Sequence, residues 1–270
     1  MTSSRPEPRF ATSSDGVRIA YEVHGAGPAL VLVDGALCSR AMGPGRAVAA
    51  ALADRFSVYV YDRRGRGDST GGVTEPAREI DDLRAVIDAA GSETRVLGQS
   101  SGAALAYRAA AAGVPMAAVI GYEAPWVGLR TERDGSPRDY AGDVERILRQ
   151  GRPSAAVDYF FGKMIDAPAF LPYMMKLMRR PYREMTRSAE TLLNDIAVMG
   201  DEYTVPASEL AAVSVPTLVL VGEKAAPAMR AAQEAVAEAI PGSRFRVLEK
   251  QTHQVSAAAL RSAVLDFATV

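Results

Sequence analysis

Around residue 100 the chain reads Val96-Leu97-Gly98-Gln99-Ser100-Ser101-Gly102-Ala103-Ala104. An apolar run ends in Gly-x-Ser-x-Gly, and a small-residue helical pattern begins at once. That is a strand feeding a helix through one sharp turn, which strains its central residue and leaves the side chain exposed at the strand's end. Gly98 and Gly102 suit the flanks because larger side chains there would collide with neighbouring backbone. Ser101 is adjacent, but only Ser100 has a glycine two residues away on each side. A hydroxyl in that place is a nucleophile when a base lies beside it. The same five residues also read as a plain strand-to-helix turn with an incidental serine.

A scaffold must hold that serine. At 270 residues the chain fits one domain with a sizeable insertion, or two small domains. Its 31 basic and 32 acidic residues leave a net charge of −1, which argues against nucleic acid or an anionic membrane surface as a partner. The single Cys38 rules out an intrachain disulfide and suits a reducing compartment. Met1 to Phe10 is polar and broken by proline, with no apolar core of a signal peptide. No apolar run reaches membrane-spanning length; the nearest, around Ala103 to Ile120, is interrupted by Arg108. The expectation is a soluble cytoplasmic protein that acts on a small molecule.

Strands are expected over residues 10–13 and 17–24, joined by the turn signal Asp15-Gly16, and over 29–33, 57–61, 117–122, 215–222 and 244–248, besides the one before Ser100. Helical patterns fill 47–53, 75–90, the stretch from the elbow to Gly113, 228–240 and 255–267. Strands alternating with helices imply an α/β fold, a mostly parallel central sheet flanked by helices. From Val127 to Pro206 the alternation stops. That stretch is charged, broken by Pro137, Pro153, Pro168, Pro172 and Pro181, and reads as several helices. It is expected to be a helical cap, residues 127–206, inserted into a core made of 1–126 and 207–270.

The strand at 57–61 leads into Asp62-Arg63-Arg64-Gly65-Arg66-Gly67-Asp68-Ser69. Asp62, Arg64, Gly65, Gly67 and Ser69 fit the pattern Asp-x-Arg-Gly-x-Gly-x-Ser. With the serine elbow and a late histidine, the chain resembles the α/β-hydrolase family over nearly its whole length, and the order of elements matches. The resemblance implies that residues 62–69 brace the site and that the base sits in a loop after the last strand. Leu248-Glu249-Lys250-Gln251-Thr252-His253 offers His253 there, and imidazole is the side chain whose ordinary pKa suits the work. A helix N-terminal role near Val255 is the other reading of His253. His24, at an early strand end, reads as a turn or surface residue. The resemblance also implies an oxyanion hole of two backbone N–H groups, those of Ser101 and Ala36. Asp34-Gly35 stands where the family usually has His-Gly, which puts a negative charge near the site and is expected to alter substrate preference. A direct catalytic role for Asp34 is the alternative. Cys38 reads as a small buried apolar residue rather than a second nucleophile.

A third residue normally orients the imidazole. In most of the family it is an Asp after the strand that follows the cap. Here that loop is Gly222-Glu223-Lys224-Ala225-Ala226-Pro227, with Ala225 where the acid belongs and Glu223 two residues early. One sub-group, haloalkane dehalogenases among them, carries the acid at the end of the strand before the cap. Glu123, in Ile120-Gly121-Tyr122-Glu123-Ala124-Pro125, occupies that place. It reads either as the acid or as a glutamate facing water at a strand end.

The resulting expectation is a serine-dependent hydrolase or acyl transferase for a small-to-medium ester, lactone or thioester, with Ser100, His253 and Glu123 as its catalytic residues. A dehalogenase or epoxide hydrolase needs a carboxylate nucleophile, so Ser100 argues against both. Asp34, Leu37, Trp126, Phe160, Met164, Met174 and Met178 are the candidate pocket residues, since aromatics and thioethers suit an apolar wall. Packing among cap helices is the other reading of the cap aromatics and methionines. No metal and no cofactor are expected. A lyase or cyclase using the same pocket, and a ligand receptor on a hydrolase scaffold, are the rival functions.

Overall fold

A computed structural model describes residues 7–268, apart from residues 92, 133, 134, 166, 168 and 169. Pro168 and most of the polar N-terminal stretch therefore lie outside the described residues or at their edge. Among the described residues, the apolar runs build one eight-stranded sheet. Its strands are β1 (Arg9–Thr12), β2 (Arg18–His24), β3 (Ala29–Val33), β4 (Ser57–Tyr61), β5 (Arg95–Gln99), β6 (Ala118–Tyr122), β7 (Thr217–Gly222) and β8 (Arg244–Leu248). Their order across the sheet is β1-β2-β4-β3-β5-β6-β7-β8. The first two pairings are antiparallel and the rest parallel. Every strand from β3 onward therefore ends at one edge, and the loops after them share that edge.

Strand residues alternate between two cores because successive side chains point to opposite faces. Leu32, Leu97, Ile120 and Leu218 sit in register as one row across β3, β5, β6 and β7. That row packs beneath α1 (Gly45–Leu52) and α11 (Ala257–Ala268), with Val48, Leu52, Leu260 and Val264. Val31, Val96 and Val119 form the row one residue earlier and face α2 (Pro76–Ala90) and α3 (Ser101–Ala111), with Leu83, Val86, Leu105 and Tyr107. Cover on both faces is why these strands read as unbroken apolar runs.

Between β6 and β7 come α4 (Tyr140–Arg149), α5 (Pro153–Tyr159), a π turn (Phe160–Met164), α6 (Leu171–Leu177), α7 (Arg179–Arg187), a 3-10 turn (Ala189–Thr191), α8 (Leu192–Met199) and α9 (Ala207–Leu210). Asp139 opens α4 by accepting from the Gly142 N–H at 2.8 Å, and Pro153 opens α5 at a position where its missing donor is not needed. The helices α8 and α9 pack on α3, and α8 also on α2, so this segment joins the rest of the fold through the helix layer on one face of the sheet. The remaining helix, α10 (Pro227–Ala239), covers β7. Among the described residues no helix is long and apolar enough to cross a membrane.

Candidate active site

The site is assembled from loops at the C-terminal edge of the sheet. Ser100 follows β5 with φ +56° and ψ −130°. An L-residue is held there only when its surroundings over-determine it. Both flanking glycines are obligatory. A Cβ on Gly98 would lie 2.4 Å from the Gly102 carbonyl oxygen, and one on Gly102 would lie 2.1 Å from that of Val33. The Ser100 N–H donates to the Tyr122 carbonyl at 2.9 Å, which ties the elbow to the end of β6.

Glu123 stands one residue beyond β6, at φ +49° and 1% exposed. Its Oε1 accepts from the Gly222 N–H at the end of β7, at 2.9 Å. Its Oε2 lies 2.7 Å from His253 Nδ1. His253 Nε2 in turn lies 3.2 Å from Ser100 Oγ. A carboxylate only accepts, so Nδ1 carries the ring proton and Nε2 is left to accept from the serine hydroxyl. The structure thus joins Ser100, His253 and Glu123 in one hydrogen-bonded chain. The His253 side chain is 47% exposed, so the site is open to solvent.

The loop carrying His253 runs from β8 to α11, and two side chains fix it. The Tyr122 hydroxyl donates to the Thr252 carbonyl. Glu223 Oε2 accepts from the Lys250 N–H at 2.7 Å, beside a backbone held at φ +59°. Glu223 is therefore occupied in shaping the turn before His253. Ala225 sits in the turn after β7, its N–H donating to the Gly222 carbonyl at 3.1 Å. His24 is distant in role: its ring pairs with Glu22 Oε1 at 2.8 Å.

The loop after β3 presses against the elbow, since a Cβ on Gly35 would come 3.0 Å from Ser100 Cβ. Among the described residues the Ala36 amide donates no backbone hydrogen bond. The Ser101 amide opens α3 and has no carbonyl one turn back within the helix. Leu37 follows at φ +59°, 2% exposed and packed into the core. Asp34 departs from its expected part. Its carboxyl is buried against Gly43, Gly45 and Cys38 at the start of α1, accepting from the Gly45 N–H at 3.3 Å. Burial pushes its pKa up to about 6, against the pull of that N–H and of Arg66. It is an interior group and not a charged wall of a substrate site. Burial likewise pushes the half-buried Cys38 thiol up to about 12.

Other candidate pocket residues scatter. Trp126 is 2% exposed, stacks on Tyr107 at 6.4 Å and donates its indole N–H to the Met199 carbonyl at 3.1 Å. It anchors α8 and is packing, not a wall. Phe160 meets Phe161 edge-on at 5.3 Å, and Met164 packs beside them on the core. Met174 and Met178, on or just after α6, are 51% and 53% exposed, so they face solvent instead of enclosing a ligand. A cleft of about 570 Å³ opens instead between α4 and α8, with Val73, Leu129, Tyr140, Ile196 and Tyr203 among its walls.

The loop at 62–69 does more than its pattern suggests. Asp62 accepts from the Arg40 N–H at 2.6 Å and the Asp68 N–H at 2.9 Å, and Ser69 bonds back to the Asp62 carbonyl at 2.6 Å. Arg64 pairs with Asp82 and Asp15. Arg63 and Arg66, at positions the pattern leaves free, run inward to Glu79, Ser101, Thr191, Gly35 and Asp195. Asp195 lies on α8 and carried no signal in the sequence, where it reads as one acid on an ordinary helix.

A family model for the alpha/beta hydrolase family matches residues 23–265. Among solved structures, an alpha/beta hydrolase from Sphaerobacter thermophilus is 39% identical, with a TM-score of 0.85 over 96% of this chain and 99% of that one. A thermophilic esterase from Thermogutta terrifontis is 23% identical, with a TM-score of 0.73 over 97% and 98%. An enol-lactonase from Burkholderia xenovorans is 21% identical, with a TM-score of 0.68 over 97% and 100%. At the identity of these last two, the likeness speaks to the fold. No curated protein matches the chain.

Proposed function

This chain belongs to the alpha/beta hydrolase family, and within it we propose a serine-dependent hydrolase or acyl transferase that forms an acyl-enzyme on Ser100. The observation that carries the reading is the chain from Glu123 Oε2 to His253 Nδ1 at 2.7 Å and from His253 Nε2 to Ser100 Oγ at 3.2 Å. Ser100 Oγ attacks the carbonyl carbon of a small-to-medium ester, lactone or thioester while its proton passes to His253 Nε2. Glu123 fixes the ring tautomer and stabilises the imidazolium. Negative charge gathering on the carbonyl oxygen is met by the Ala36 and Ser101 N–H groups. The imidazolium then protonates the leaving group. Water, or an acceptor alcohol in the transferase case, gives its proton to the same nitrogen and releases the acyl group.

The helical segment 127–206 is read as a cap on this chemistry. Structural neighbours described as an esterase and an enol-lactonase put ester and enol-lactone substrates first among those to try. The lyase or cyclase alternative gains no group from Asp34, whose carboxyl is buried against α1.

The test is Ser100→Ala assayed on p-nitrophenyl esters of graded chain length, beside fluorophosphonate labelling of the wild type. Removing a nucleophile of this kind costs roughly 10⁴-fold or more in turnover. The wild type is expected to gain one phosphonyl group at Ser100 and the variant none. Ester cleavage by Ser100→Ala at close to the wild-type rate would end the covalent mechanism.

A further inference from the structure

Both amides assigned above to the oxyanion are backed by one buried carboxylate. Asp195, 3% exposed on α8, accepts from the Ser101 hydroxyl through Oδ1 at 2.8 Å. Its Oδ2 accepts from Arg66 Nη2 at 2.6 Å. Arg66, 1% exposed, also donates through Nη1 to the Gly35 carbonyl at 2.9 Å and through Nε to Thr191 Oγ1 at 2.9 Å. The Gly35 carbonyl belongs to the same planar trans peptide as the Ala36 N–H, and the two point in opposite directions. Gripping that oxygen therefore aims the Ala36 N–H the other way. Arg63 closes the group, donating to Asp195 Oδ1 at 2.6 Å and pairing with Glu79.

We propose that Asp195 is a positioning residue for the oxyanion hole: it holds the Ser101 donor through the Ser101 hydroxyl and the Ala36 donor through Arg66 and the Gly35 carbonyl. This rests on the acyl-enzyme reading above. Two guanidiniums and two carboxylates balance in this interior, yet a buried ion pair is a weak source of stability compared with apolar packing. Its geometric yield is greater. A guanidinium fork reaches Thr191, Gly35 and Asp195 at once, and a lysine cannot. The consequence is that a helix between β6 and β7 governs transition-state charge without touching substrate.

The test compares wild type with Asp195→Asn, Ser101→Ala and the charge-balanced pair Arg66→Met with Asp195→Asn. Each is assayed on p-nitrophenyl butyrate and against a trifluoromethyl alkyl ketone, which forms a tetrahedral oxyanion on serine. Partners that orient metal ligands from behind are typically worth about 10- to 100-fold, and a loss on the same order is expected here. Asp195→Asn and the pair should lose about that much in kcat, with KM within about threefold. The ketone Ki should weaken by the same factor as kcat/KM, because both report oxyanion binding. Ser101→Ala, which cuts one arm only, should lose about 3- to 10-fold. Folded variants whose kcat and Ki stay within twofold of wild type overturn the proposal, as does a kcat loss with unchanged Ki. Should the buried charges keep Asp195→Asn from folding, the balanced pair and Ser101→Ala decide it on the same numbers. Fluorophosphonate separates the two readings. A wild type inert at Ser100 sinks the acyl-enzyme and this inference together, whereas equal labelling rates in wild type and variants sink this inference alone.

Discussion

Asp34 sits in an environment at odds with its charge. A carboxyl with an ordinary pKa of 3.8 has been moved to about 6 by burial, with one N–H for company. The folded chain thus keeps this proton to higher pH than the unfolded chain does. Folding takes up a proton between about pH 4 and 6, so stability falls as pH rises through that window and the full cost of the buried charge is felt above it. Removing the charge should reverse this. Asp34→Asn is expected to melt several degrees above wild type at pH 7.5, on the order of 2 kcal/mol, with the gap closing toward pH 4. Calorimetry across that range checks it, and an Asn variant no more stable than wild type at pH 7.5 would contradict it. Side-chain fate at this scale was legible where the constraint is local. Gly98, Ser100 and Gly102 declare themselves through their spacing, and the clash that demands Gly98 comes from Gly102 and Ala103, within five positions, although Gly102 itself is demanded by the distant Val33 and Asp34. Asp34 and Asp195 do not. The bonds that define Asp195 reach across 94 to 132 positions of sequence, and no local pattern records them.

At the scale of elements, the informative point is which strand end carries the acid. The ends of β6 and β7 are neighbours, and Glu123 shows it by bonding the Gly222 N–H with one oxygen and His253 with the other. Either end can thus reach one imidazole edge, and Ala225 marks the place in the second loop where no acid stands, Glu223 being held by the Lys250 amide. Glu123→Gln keeps shape and removes charge, and should lower turnover by roughly 10²- to 10⁴-fold. Glu223→Gln keeps an oxygen that can accept from the Lys250 amide and should change turnover by less than about tenfold. Ala225→Asp in the Glu123→Gln background should recover part of the rate. Steady-state kinetics on one ester suffice; a Glu223→Gln loss as large as that of Glu123→Gln would reverse the assignment. Element positions were readable because unbroken apolar runs and their glycine and proline stops survive in sequence, as at β3 and β7. Helix ends shifted by a residue or two, as for α11, where capping geometry decides and periodicity does not. The faces of α6 were not readable, since Met174 and Met178 are as apolar in sequence as any core residue.

For the molecule as a whole, the sheet order separates the parts of the site in sequence while joining them in space. Ser100 and Glu123 lie on adjacent strands, but His253 follows Glu123 by 130 positions and Ser100 by 153. It hangs from β8, the outermost strand, whose ladder is to β7 alone. Contacts so far apart form late, because loop closure is costly before they reward it. Trp126, the single tryptophan, is buried where α8 docks and so reports that step. On dilution from denaturant, ester cleavage should recover more slowly than Trp126 fluorescence. Stopped-flow fluorescence with interrupted-refolding assays measures both, and simultaneous recovery would show that β8 docks with the rest. A lag would make the arrangement a safeguard in time. While the chain is still half-assembled and its apolar surfaces are open to other proteins, the proposed nucleophile would lack its base and would not be acylated. Reactivity arrives only with the finished molecule.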